Sequence, residues 1–141
     1  MTRMDLYPLS GPVDRESFCD WDEIKRLYRE TTDVRMHFPG YSFNDVKGDH
    51  WHSHGSCIDV DAGYEWDGPS GPAINGETNV IGSKTHDIIC TKVNGAYPLS
   101  GYFRRHTLYV KINRVQGETR IRAATHWAAL AAGNWIYAVF H

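Results

Sequence analysis

Two short runs in this chain carry residue types that do chemistry. The first joins Asp67, in the loop Asp67-Gly68-Pro69-Ser70-Gly71-Pro72, to His86-Asp87 further on. An imidazole between two carboxylates can move protons near neutral pH, or the three together can hold a metal that activates water. Asp67, His86 and Asp87 are therefore the candidate catalytic set. The simpler reading is local, because short polar side chains bond to nearby backbone N–H groups in turns, which gives Asp67 and Ser70 a structural role. The second run is His50, His52 and His54. Side chains on one face of a strand repeat every second residue, about 6 to 7 Å apart, so a strand would place all three imidazoles on one face. Imidazoles bind zinc, copper or nickel, yet a metal centre needs ligands converging from more than one element. The three are metal candidates by type alone, and a His-rich exposed strand is the simpler reading.

The elements that must position these residues can be read from the same stretches. Two prolines remove backbone donors and two glycines permit unusual backbone angles, so residues 68–72 (Gly68, Pro69, Ser70, Gly71, Pro72) form a rigid structural loop. His86 and Asp87 fall within Ile81, Thr85, Ile88, Ile89 and Val93, whose spacing predicts a short buried helix with Ser83 near its N-terminus. Cys57-Ile58-Asp59-Val60-Asp61 alternates apolar and acidic residues as a half-buried strand does.

The run from Tyr64 to Pro72, the His86-Asp87 pair, Phe103-Arg104-Arg105, Gly117, Arg122-Ala123 and Gly133 together resemble a phage-associated family, the domain of unknown function "thirteen fifty-three". Members show an aromatic-Asp-Gly-x-Ser-x-Pro loop, a His-Asp pair opening a helix, and later helices with an Arg-Ala step and a Gly ending. The likeness covers residues 55–134. Ile88-Ile89-Cys90 stands where the family has Leu-Tyr after its His-Asp pair, and a family Asp in the next helix is replaced around Leu108-Tyr109. The resemblance implies a phage or prophage protein.

At 141 residues the chain reads as one domain able to bury about two thirds of its unfolded surface. A net charge of −2 gives no global argument for nucleic acid or an anionic membrane. The acidic middle (Asp45, Asp49, Asp59, Asp61, Glu65, Asp67, Glu77) is expected to complement the later arginines and Lys111 within the fold or across a subunit contact. With no nucleic-acid motif, nucleic acid is not an expected partner. Cys19, Cys57 and Cys90 have no close spacing and are expected to remain reduced thiols. The first residues lack an apolar run, which predicts no secretory signal. Synthesis in the host cytoplasm follows, with a virion as a further destination.

In chain order, residues 1–20 read as an extended arm rather than a packed element, because Pro8, Gly11 and Pro12 interrupt them. Asp20 predicts an N-cap for a helix from Trp21 to Glu30, with Trp21, Ile24, Leu27 and Tyr28 at helical spacing. His37-Phe38-Pro39-Gly40-Tyr41 reads as a turn-bearing connector. Helices are predicted over 103–115 and 120–132, separated by Gly117 and Thr119 and ended by Gly133-Asn134. The tail Trp135, Ile136, Tyr137, Ala138, Val139, Phe140 is apolar on both faces if extended. It is too short and interrupted for the roughly 20 apolar residues of a membrane span. It is either a strand covered on both sides or a segment that docks on a partner, with Trp135, Ile136, Tyr137, Val139 and Phe140 as the interface.

The expected fold is α+β: a small antiparallel sheet over residues 36–66 packed against two or three helices, with the N-terminal arm (1–20), a single domain (21–134) and the C-terminal strand or docking tail (135–141). The expected function is a phage or prophage structural or interaction protein, working through contacts with other protein chains, copies of itself or virion neighbours, and needing no cofactor. The alternative is a metal-assisted hydrolase acting on a cell-wall peptide bond through Asp67, His86 and Asp87.

Overall fold

Alternating apolar and polar residues build the first half of the chain into strands. The structure, a computed structural model, describes residues 2–66, 80–89 and 104–121, with positions 124 and 128. Its elements are β1 (Met4–Leu6), a 3-10 turn (Arg15–Ser17), β2 (Cys19–Asp22), β3 (Leu27–Glu30), β4 (Val34–His37), β5 (Phe43–Gly48), β6 (Trp51–Gly55), β7 (Cys57–Val60), β8 (Glu65–Trp66), α1 (Val80–Ile89) and α2 (Arg104–Val115). The strands form a five-stranded sheet, β1-β4-β7-β6-β5, and a three-stranded sheet, β2-β3-β8. The pairing of β1 with β4 is parallel and the others are antiparallel. The class is α+β, with small sheets packed against helices.

Register sorts the side chains of the large sheet into two faces, since neighbours along a strand point opposite ways. Met4, Val34, Val60 and Trp51 lie opposite one another across four strands, as do Leu6, Met36, Ile58 and Ser53. These rows are the inner face, and their apolar members other than Met4, which packs against it half-buried, belong to one core with Phe18, Phe38, Trp66, Ile88, Leu108 and Ile112. Helix α1 lies on this face, where the Thr85 hydroxyl is 3.7 Å from Met36 Sδ. The outer face carries the intervening rows, Asp5, Arg35, Asp59, His52 and Lys47 in one, and His37, Cys57 and His54 in the next.

The helix expected over Trp21–Glu30 is instead a hairpin, β2 with β3. Asp22 accepts hydrogen bonds from the Ile24 and Lys25 backbone N–H groups, both at 3.0 Å, and Arg26 takes a left-handed φ of 56°. These features close a turn where a helix would continue. Trp21 and Tyr28 share a face in either structure, but Ile24, which a helix would bury, is 95% exposed at the turn. Strand pairing wins because Tyr28 sits opposite both Trp21 and Trp66 in the sheet.

Residues 2–20 are packed and not merely extended. β1 adds a parallel strand to the large sheet, and Leu6, Phe18 and Cys19 are buried. Arg3 donates to the carbonyls of Val34 and Val60, each at 3.2 Å, and pairs with Asp61. The sheet region thus begins at Met4 rather than near residue 36. The expected helix around His86 is α1, with Ile81, Thr85, Ile88 and Ile89 all buried. Ser83 lies inside it and bonds back to the Val80 carbonyl at 2.9 Å. The helix expected over 103–115 is α2, which ends before Gly117 at φ 110°. Residues 120, 121, 124 and 128 of the next expected helix are helical.

Candidate functional site

Helix α1 is buried along most of its length, and His86 and Asp87 are the two of its ten residues that escape full burial. The His86 ring lies 5.2 Å from that of Tyr109, tilted by 57°. Asp87 accepts a hydrogen bond from the Tyr64 hydroxyl and lines an open groove of about 410 Å³. Lys47, Asp49, His50, Tyr64 and Glu65 line the same groove. The fold therefore brings together members of the two sequence candidates, His50 from the His-rich run and Asp87 from the His-Asp pair.

That convergence depends on His50 leaving the strand. Its φ of 65° places it in the turn between β5 and β6, so only His52 and His54 continue the period of two on the outer face. Their rings are 4.8 Å apart. Candidate ligand atoms of His52, His54 and Asp59 lie within 4.8 Å of one another, a spacing a metal ion could span. The carboxylate is, however, already held. Arg35 donates to both Asp59 oxygens, at 2.7 and 3.0 Å, His54 Nε2 lies 3.1 Å away, and the Arg3 guanidinium 3.6 Å. Burial works to raise the Asp59 pKa, but the hydrogen bonds from Arg35 and His54 and the charges of Arg35 and Arg3 more than offset it and hold the carboxyl below its usual range. His52 Nε2 turns away to Asp45, at 2.7 Å. Asp59 is thus the centre of an ion-pair network with Arg35 and Arg3, and a cation at the trio would have to displace two guanidiniums.

Beside this network stands a third arrangement that sequence reading did not find. His37 and Cys57 face each other across β4 and β7, with Cys57 Sγ 3.4 Å from His37 Nδ1. The other ring nitrogen, Nε2, lies 2.8 Å from Asp5 Oδ1 on β1. Tyr7 stacks on the imidazole at 4.7 Å, nearly parallel. The local sequence places His37 in a turn-bearing connector and gives Cys57 only as a reduced thiol, whereas His37 ends β4 and faces Cys57 on β7. The only available signal was the parity of the strands, since Asp5, His37 and Cys57 share a face only once the parallel β1–β4 register is known.

Asp67, the loop 68–72 and the tail residues Trp135, Ile136, Tyr137, Val139 and Phe140 lie outside the described residues. Comparison with protein-family models, curated proteins and solved structures gives no match. Among the described residues, no helix is long and apolar enough to cross a membrane.

Proposed function

We propose that this chain is a structural or interaction protein of a phage or prophage, working through contacts with other protein chains. The observation that best supports this is the outer face of the five-stranded sheet. Asp5, Arg35, His52 and Lys47 stand in one row on it, with the buried Asp59 pairing Arg35 between them, opposite the face packed into the core. Charges of both signs in fixed order suit a second protein surface, because complementary charge sets register and partner choice at interfaces. The resemblance of Tyr64–Pro72 and His86-Asp87 supplies the phage context, and the doubly apolar tail supplies a second contact segment. Light scattering on the purified full chain tests the reading. An oligomer that dissociates as salt is raised, or on deletion of residues 134–141, is expected. A monomer at low salt that binds no neighbouring protein of its own particle would overturn it.

A metal-assisted hydrolase remains the second reading, favoured by Asp87 opening onto a groove shared with His50, Asp49 and Glu65. Elemental analysis of the purified protein, paired with cell-wall peptide cleavage by native chain and D87N, tests it. Absence of both bound metal and cleavage would rule it out.

A further inference from the structure

Cys57, His37 and Asp5 form a chain of nucleophile, base and orienting carboxylate on three neighbouring strands. A carboxylate only accepts hydrogen bonds, so in the neutral imidazole the hydrogen sits on Nε2 and is donated to Asp5. Nδ1 is then the acceptor and faces the Cys57 thiol at 3.4 Å. One tautomer thus satisfies both contacts and leaves the basic nitrogen on the thiol, the relation expected of an activated nucleophile. Cys57 is only partly buried. Asp5 and Tyr7, which contact the imidazole, also line an open groove of about 450 Å³ with Pro12, Val13 and Asp14.

We propose that Cys57 is the nucleophile of an acyl-transfer site for ester or thioester substrates, with His37 as its general base and Asp5 as the residue positioning His37. In the first step Cys57 Sγ bonds to the acyl carbon, its proton passes to His37 Nδ1, and the bond to the leaving alcohol or thiol breaks as that group takes the proton. In the second step water gives a proton to His37 and its oxygen to the acyl carbon, and the released sulfur recovers the proton. The balance is acyl ester plus water to acid plus alcohol, with no further reactant. The site is distinct from the groove at Asp87 and does not rest on the interaction reading.

4-Nitrophenyl acetate is the probe, with nitrophenolate release followed by absorbance and acetylation located by peptide mass mapping. Native protein is expected to acetylate at Cys57 at least tenfold faster than N-acetylcysteine under the same conditions. H37Q should slow this by about 10²-fold, in the range of general-base effects. D5A and D5N should both slow it, since an amide can donate to Nε2 and turn the proton-bearing nitrogen toward the thiol, while D5E, which keeps a carboxylate acceptor, restores part of the rate, a rescue that a merely structural Asp5 would not give. Thermal melts establish that each variant is folded. Acetylation of Cys57 no faster than the free thiol overturns the proposal without recourse to any variant. So does a label on another residue, or an unchanged rate in folded H37Q.

Discussion

Lys84 Nζ lies 3.0 Å from each carboxylate oxygen of Glu30, with both side chains fully buried. The ammonium sits 4.3 Å from the centre of the Phe18 ring and 5.5 Å from that of Trp66. The pair joins α1 to the three-stranded sheet and so fixes the helix that carries His86 and Asp87. Burial pushes Glu30 up to about 7 against the pull of Lys84, and pushes Lys84 down against the pull of Glu30. Each charge is tolerated because the other is present.

Removing one member should therefore cost far more than removing both. Glu30→Gln is expected to destabilise by about 3 to 5 kcal/mol, as for a buried ion stripped of its partner, whereas E30L combined with K84M should be near neutral. The E30Q deficit should narrow as pH rises. With the folded-state pKa of Lys84 depressed, the unfolded chain binds more protons, so stability grows with pH through that window. Urea midpoints at several pH values measure both effects, and a double variant as unstable as E30Q would contradict the coupling.

Gly82 is where α1 meets α2. A Cβ there would stand 2.2 Å from Asn113 Oδ1, and Asn113 is fully buried. Gly82→Ala should lower the melting temperature even though alanine favours a helix interior by about 1 kcal/mol. In an N113A background the clash is gone, so the same change should become neutral or stabilising. A double-mutant cycle without coupling would place the tight contact elsewhere.

Asp59 should govern the acid limb of stability. Its folded pKa lies below the unfolded value near 3.8, so its contribution is present above that value and is lost as pH falls through the lower folded one. Native protein should lose denaturant resistance between about pH 4 and 2, and D59N should be less stable at pH 6 yet lose less over the same range. Parallel curves for the two proteins would show that Asp59 is not the titrating group.

Thiol reactivity should separate two cysteines. Burial pushes the Cys19 thiol up to about 12, and its side chain is inaccessible, whereas Cys57 is partly exposed. Dithionitrobenzoate followed by peptide mapping should find Cys57 modified in the native state and Cys19 only after unfolding. Rapid native modification of Cys19 would mean that the Phe18–Cys19 segment opens.

The N-terminal segment should behave as part of the core. Leu6→Asp places a charge in the row of Met36, Ile58 and Ser53 and should cost several kcal/mol, or prevent folding, because an unpaired buried charge is strongly unfavourable. A free docking arm would tolerate the same change, and an unaltered melt would restore that view.

What the sequence determined by itself was whatever depends on local spacing. The apolar run around Ile81, Ile88 and Ile89 forms α1, the break at Gly117 closes α2, and residues 57–60 form a strand, giving the α+β class. Local spacing misread Trp21–Glu30, because apolar residues seven apart share a face in a helix and equally across a hairpin, and only pairing of Tyr28 with Trp66 decides between them. It also placed His50 in a row with His52 and His54, which a single left-handed turn residue undoes. The outer-face chemistry depended wholly on tertiary structure. Asp5, His37 and Cys57 are separated by 32 and 20 positions, and nothing in their local sequence sets the parallel register of β1 on β4 that makes them neighbours. Register is fixed by burying Leu6 in the core and packing Met4 against it, and Asp5 between them is carried to the opposite face as a consequence.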